Sequence, residues 1–316
     1  MQLPSSLSVL SLLALAAPAA AQCPETALFN YDRPGQLVCP CFVSGEQAGA
    51  VLEAPADDYP IEITKIRLAW SSQFGGSGQT LESSLNLYGA GLPNPGTPQF
   101  SVAGPALTDG FVNEFDITAF PGDRVIEDGP FTVTLTFLNT NAGDIFSPSV
   151  VFDGTACQSG KNVIFAIPGG WTDACVAGVS GDWVFEVSYR KLARTFTVNG
   201  SGANPVLLTS PNAPVLGTTW NADLDCTGWT PNIGAIFGYS QPAASPIQLA
   251  IGELLINPGS AQQILRTLPH GGGVAAFSLP VPPDVSICGD SLFVQGACFG
   301  DPGTQLTNRL DIRAGS

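Results

Sequence analysis

Phe131-Thr132-Val133-Thr134-Leu135-Thr136-Phe137 alternates apolar and hydroxyl side chains without a break. A period of two is the repeat of a strand, so Phe131, Val133, Leu135 and Phe137 fall on one face and Thr132, Thr134 and Thr136 on the other. One face belongs to a core; the other meets water or a further polar layer. Trp183, Phe185, Val187 and Tyr189 repeat the pattern, with Val184, Glu186 and Ser188 opposite. Further strands are expected at 61–70, 81–88, 111–117 and 162–167. Turn signals separate them, among them Leu92-Pro93-Asn94-Pro95-Gly96, Asp128-Gly129-Pro130 and Pro168-Gly169-Gly170.

Around Tyr189-Arg190-Lys191-Leu192-Ala193-Arg194, a brief basic patch, the rhythm changes. Strands are expected beyond it at 194–198, 215–220, 233–239, 246–251, 263–268, 274–279, 291–296 and 309–313. The run 247–256 has the length of a short helix. Strand is the better reading, because Ile247, Leu249 and Ile251 alternate and Asn257-Pro258-Gly259 closes the stretch as a turn. The chain has 316 residues with 36 Gly and 27 Pro, and abundant β-branched and aromatic residues between them. That composition fits many short strands joined by tight turns, not disorder. No fixed-period repeat relates the halves, which argues against a solenoid or propeller. The expected fold is all-β: two consecutive jelly-roll-like β-sandwich domains, 22–192 and a smaller 193–316.

Residues 1–21 read as a cleaved signal peptide. A short apolar core, Leu10 to Ala21, ends in Ala19-Ala20-Ala21, with the cut expected before Gln22. The core is too short to span a bilayer, and no later stretch holds the roughly 20 apolar residues that a span needs. Gln22 is too large for the small residue that precedes a lipidated cysteine, so Cys23 is not read as an anchor. The expected product is secreted, extracellular or at the cell surface. Its net charge is −15, with 19 acidic against 7 basic residues over 22–192 and 7 against 4 over 193–316. Such a field repels nucleic acid. Calcium, a cationic polymer or a salty exterior would be tolerated, and the acidity also serves solubility; extracellular polysaccharide or matrix is the expected partner on other grounds.

Eight cysteines, at 23, 39, 41, 157, 175, 226, 288 and 298, suit an oxidising compartment and structural disulfides. Five lie before the junction and three after it, so either one bridge joins the halves or two thiols stay free. Connectivity cannot be read from sequence, although Cys157 with Cys175, closing a loop at the end of the first domain, is the favoured pair. Cys288 and Cys298 are the disulfide candidates of the second half. Zinc is disfavoured: Cys39-Pro40-Cys41 has one intervening residue, and His270, the sole histidine, is distant in sequence.

Catalytic constellations are poorly supported. Phe74-Gly75-Gly76-Ser77-Gly78-Gln79 and Val179-Ser180-Gly181-Asp182 do not complete a nucleophile elbow, and His270 sits in a turn between Pro269 and Gly271. Glycoside hydrolysis or lysis would need paired carboxylates. Asp57, Asp58, Glu114, Asp116, Asp144, Asp153 and Asp173 supply candidates, but no spacing selects a pair. Calcium is the cofactor that loop carboxylates would take, with Asp57, Asp58 and Asp153 beside expected strands as ligands. Carbohydrate binding needs exposed rings to stack on sugar faces and polar groups for hydroxyls. Trp171, Asp173 and Trp229 lie in turn-rich polar stretches and are the candidates; Trp70, Trp183 and Trp220 occupy strand positions and read as core.

Four strings of the second half carry a resemblance. They are Ser245-Pro246-Ile247-Gln248-Leu249-Ala250-Ile251, Ala276-Phe277-Ser278-Leu279-Pro280-Val281-Pro282, Gly289-Asp290-Ser291-Leu292-Phe293-Val294-Gln295, and Leu306-Thr307-Asn308-Arg309-Leu310-Asp311-Ile312-Arg313-Ala314-Gly315. In this order they resemble a C-terminal module of exported planctomycete proteins, over about 120 residues. Gln248 departs from the usual acidic residue, and Cys288 and Cys298 flank the glutamine strand. The resemblance implies a small β-sandwich appended to varied exported proteins and carries no activity or functional residue. The first half is similar, more loosely, to jelly-roll segments found beside such modules. The function expected is non-catalytic binding or structure, through contact with extracellular glycan or matrix; the alternative is a polysaccharide-active hydrolase or lyase using two first-domain carboxylates.

Overall fold

The computed structural model describes residues 21–32, 35 and 37–316, so the expected leader lies outside the described residues except for Ala21. The fold is all-β. Its antiparallel sheets carry, among the described residues, no α-helix and only two 3-10 turns, Ala56–Asp58 and Val285–Ile287. Among the described residues, no helix is long and apolar enough to cross a membrane.

Two large sheets build the first half, beside a small two-stranded pair of Gln79–Leu81 with Ala106–Thr108. One is centred on the long strand Ile61–Ser71, flanked by Phe185–Lys191 and Ser149–Phe152. The other runs Gly170–Asp173, Asn162–Ala166, Gln47–Leu52, Phe131–Thr136, Ser84–Tyr88, Phe100–Ala103. The alternation that opens the sequence reading is the reason they pack. Phe131, Val133, Leu135 and Phe137 face Ile61, Ile63, Leu68 and Trp70 in one core, together with Trp183, Phe185, Val187 and Tyr189. Phe42 stacks on Phe137 with ring centroids 4.3 Å apart. Truncating one of these fully buried rings to alanine costs about 3–5 kcal/mol.

The second half has its own core, in which Trp220, Leu224, Ile236, Phe277, Val294 and Leu310 are buried. A five-stranded sheet runs Arg194–Val198, Gln305–Arg313, Ser291–Cys298, Ile233–Tyr239, Gln262–Pro269. A three-stranded sheet runs Leu208–Thr209, Thr219–Asp225, Val274–Pro280. The strand expected at 215–220 begins only at Thr219. Residues 215–218 form a turn instead, closed by the Thr218 N–H on the Val215 carbonyl (3.1 Å). The run 247–256 is a hairpin, with Ile247 opposite Leu254 and Gln248 opposite Glu253.

Only Leu192 and Ala193 separate the last strand of the first half from the first strand of the second. Arg313, 2 % exposed, fastens the seam. Its guanidinium donates to the carbonyls of Asp57, Asp58 (2.9 Å), Tyr59 (2.5 Å) and Leu192 (3.3 Å). Burial pulls this group down to about 10, which leaves it charged at neutral pH. The cysteines pair as Cys23–Cys288, Cys39–Cys41, Cys157–Cys175 and Cys226–Cys298, and none is free. Of the two options open in the sequence, a bridge between the halves is the one that forms, through Cys23 and Cys288. Cys298 closes on Cys226 within the second core.

Candidate functional site

Trp171 lies on Gly170–Asp173, the edge strand of the six-stranded sheet. Register carries its position across the sheet: Trp171 faces Phe165, Phe165 faces Gln47, Gln47 faces Thr136, and Thr136 faces Ser84. These five side chains form one row on the face turned away from the core, and all five are half-buried. The backbone positions of the row span four strand steps of about 4.8 Å, and the Tyr88 ring, from the same strand as Ser84, reaches back across this face to Trp171. Its aromatic end is built from three rings. Trp171 meets Phe165 at 5.1 Å and Tyr88 at 5.3 Å between centroids, both edge to face.

A bonded polar cluster flanks the row on the same face. Thr132 and Thr134 are fully buried although they sit on the outward face of their strand. Their hydroxyls find partners: Thr132 donates to the Ala90 carbonyl (2.7 Å) and Thr134 to Gln47 Oε1 (2.7 Å). Tyr88 donates to the same Gln47 oxygen (2.8 Å). Asn86 Nδ2 donates to Thr134 (3.2 Å) and Thr136 (2.9 Å), and Ser101 donates to Asn86 Oδ1 (2.8 Å). Burial pushes the Tyr88 phenol up, so it stays a donor across the physiological range. Gly49 lets the strands close here, since a Cβ on it would lie 2.0 Å from the Val133 carbonyl oxygen. The polar face expected from the Thr alternation is thus a bonded layer that fixes Gln47 and Tyr88, not a simple solvent face.

The other candidates are placed apart. Asp173 shares the Trp171 strand, but its carboxylate accepts from Ser159 Oγ (2.7 Å), Gly160 N (2.7 Å) and Cys175 N (2.9 Å), and so clamps the loop beside the Cys157–Cys175 bridge. Trp229 lies in the second half, packed against that core, with its indole N–H on the Gly303 carbonyl (2.8 Å). It caps a core and shares no surface row with Trp171. Tyr88, Phe165 and Gln47 escape a search for loop tryptophans. The alternation Ser84-Leu85-Asn86-Leu87-Tyr88 was the signal that could have found Asn86 and Tyr88.

The three expected calcium ligands do not assemble. Asp58 is held by Lys191 (2.6 Å) and by the Tyr189 hydroxyl (2.5 Å), while Asp153 lies with Asp32 and Asp182. Burial would raise the Asp153 carboxyl. Hydrogen bonds from Thr155 and from the backbone N–H groups of Asp182 and Asp32 outweigh burial and hold it below the usual range. Asp182 accepts from Gln158 and Asn162. Most of the carboxylates considered for hydrolysis are likewise engaged: Glu114 pairs with Arg67, Asp116 caps Thr118, and Asp144 caps Phe146 and Ser147, whereas Asp57 is bonded only through its backbone carbonyl, by Arg313. His270 is buried, with Nε2 2.9 Å from the Phe299 carbonyl, and holds its own turn by accepting the Gly272 N–H at Nδ1.

No protein-family model and no curated protein matches the chain. Among solved structures, a β-glucuronidase of Bacteroides uniformis aligns over 86 % of this chain at 13 % identity and a TM-score of 0.18. The alignment spans 26 % of that enzyme, and a likeness this slight carries no argument about fold or activity.

Proposed function

We propose that this chain is an exported, non-catalytic binding protein whose first half contacts extracellular glycan along the Trp171–Phe165–Gln47–Thr136–Ser84 row. The row itself carries the reading. It joins aromatic rings at Trp171 and Phe165 to polar side chains at Gln47, Thr136 and Ser84, which is the chemistry a sugar chain offers: flat C–H faces for rings, hydroxyls for amides and alcohols. The bonded polar cluster beside the row holds Gln47 and Tyr88 in place, so little ordering is left for the ligand to bring about. Four disulfides suit an oxidising exterior. The engagement of all these candidate carboxylates but Asp57 in local clamps favours binding over hydrolysis.

Polysaccharide pull-down and a glycan array on the mature chain test this, with Trp171→Ala as the variant. Loss of one stacking ring is expected to weaken retention about tenfold. Phe74→Ala is the control, since Phe74 and Phe146 form a separate exposed pair, 5.6 Å apart. Silence across plant, algal and microbial glycans, or equal retention by Trp171→Ala, would sink the proposal.

A further inference from the structure

The two sheets of the second half part at one end. The strands Gln262–Pro269 and Val274–Pro280 follow one another around the His270 turn, yet each joins a different sheet as its last strand. Between the start of the first and the end of the second opens a cleft of about 810 Å³. Its walls include Trp220, Ile264, Leu279, Val281, Leu292 and Ile312, side chains that belong to or pack on the second core. That volume lies in the range of small-molecule sites.

Arg266 stands over this apolar space. On its strand it is two residues from Ile264, and register sets it opposite the fully buried Ile236, so its side chain leaves the strand on the core side. Most other basic side chains of the chain are neutralised: Lys65, Arg67, Arg124, Arg190, Lys191 and Arg309 all meet carboxylates. Arg266 meets none within 4 Å among the described residues, and its one hydrogen bond goes to the Leu265 carbonyl (3.0 Å). Asp290 is the sole carboxylate on the cleft wall. An inward charge also guards an open sheet edge. Edge protection, however, requires no cavity beneath the charge.

We propose that this cleft binds an anionic amphiphile, its apolar body between the sheets and its carboxylate on the Arg266 guanidinium. An added peptide strand is a poorer occupant. Pro280 and Pro282, both on the cleft wall, lack the N–H groups that strand addition would use. A long-chain carboxylate asks nothing of the backbone, and the planar guanidinium fork matches its head group.

Calorimetry and native mass spectrometry with dodecanoate, dodecanol and dodecylamine decide the matter on the full mature chain. Dodecanoate is expected to bind once per chain and more tightly than dodecanol, with dodecylamine weakest. Arg266→Ala should weaken dodecanoate about tenfold and leave dodecanol unchanged. Ser240→Trp, an exposed position on the cleft wall, should block both; near-ultraviolet circular dichroism checks that each variant is folded. Absence of dodecanoate binding, equal binding of amine and carboxylate, or indifference to Ser240→Trp would overturn the proposal. Glycan retention is read separately, so either proposal can fail without the other.

Discussion

Asp153 titrates in the direction that makes acid destabilising. Its carboxyl is held below the ordinary range, so its contribution is complete above the unfolded value of about 3.9 and is lost as pH falls through the folded value. Asp153→Asn keeps one acceptor oxygen but turns an amide toward groups that donate, the Thr155 hydroxyl and the Asp32 N–H. We expect urea denaturation at pH 7 to show a loss of about 1–3 kcal/mol. Between pH 7 and pH 3 the variant should lose less stability than the parent. An identical pH dependence in the two proteins would show that the Asp153 clamp is not what acid releases. Glu82 carries the opposite sign: burial pushes it up, against hydrogen bonds from Leu138 and Asn139, so its folded state favours the proton.

At the scale of the strand, Phe131–Thr136 joins core to candidate site. One face fills the first core, while the other bonds Gln47 and Asn86 on the outward face. Thr134→Val keeps the shape and the strand propensity but removes a donor to Gln47 and an acceptor from Asn86. About 1–3 kcal/mol of stability should go, because both partners remain buried or half-buried. Glycan retention should fall as well, since Gln47 is then free to turn. Thr136→Val lies at the more open end of the strand and should cost less stability.

This strand also shows what could be read in advance. Its period, its core face and its length follow from seven consecutive residues. The same logic holds for 61–70, 162–167 and 233–239, where the observed strands are Ile61–Ser71, Asn162–Ala166 and Ile233–Tyr239. It fails at 215–220, where a backbone hydrogen bond at Val215 closes a turn that no side-chain pattern announces. The site was less legible than the strands. Trp171 could be noticed as a loop-like tryptophan, but its row depends on five strands meeting in register, from positions 47, 84, 136, 165 and 171. Pairings between residues so distant are fixed by sheet order, which local alternation does not encode. The disulfides divide the same way: Cys157 and Cys175 are 18 residues apart and could be guessed, whereas Cys23 and Cys288 are 265 apart.

For the molecule as a whole, the seam decides how the two cores unfold. The Cys23–Cys288 bridge, Arg313 and the short Leu192-Ala193 connection couple them. Replacing Cys23 and Cys288 by serine removes the largest loop constraint in the chain, worth at most about 5 kcal/mol. We expect calorimetry to resolve two transitions in the double variant where the parent shows one. A single transition at an unchanged temperature would mean that the carbonyl contacts of Arg313 suffice to unite the cores.

The same seam brings residues far apart in sequence to one point: the Cys23 N–H donates to the Ser316 hydroxyl at 2.6 Å. A tether spliced onto either residue would therefore leave from the same spot on the molecule and present the same surfaces outward. Ligating the two positions through a short spacer and reopening the chain at an exposed turn, such as Pro93–Asn94, should yield a permuted protein with the same sheets.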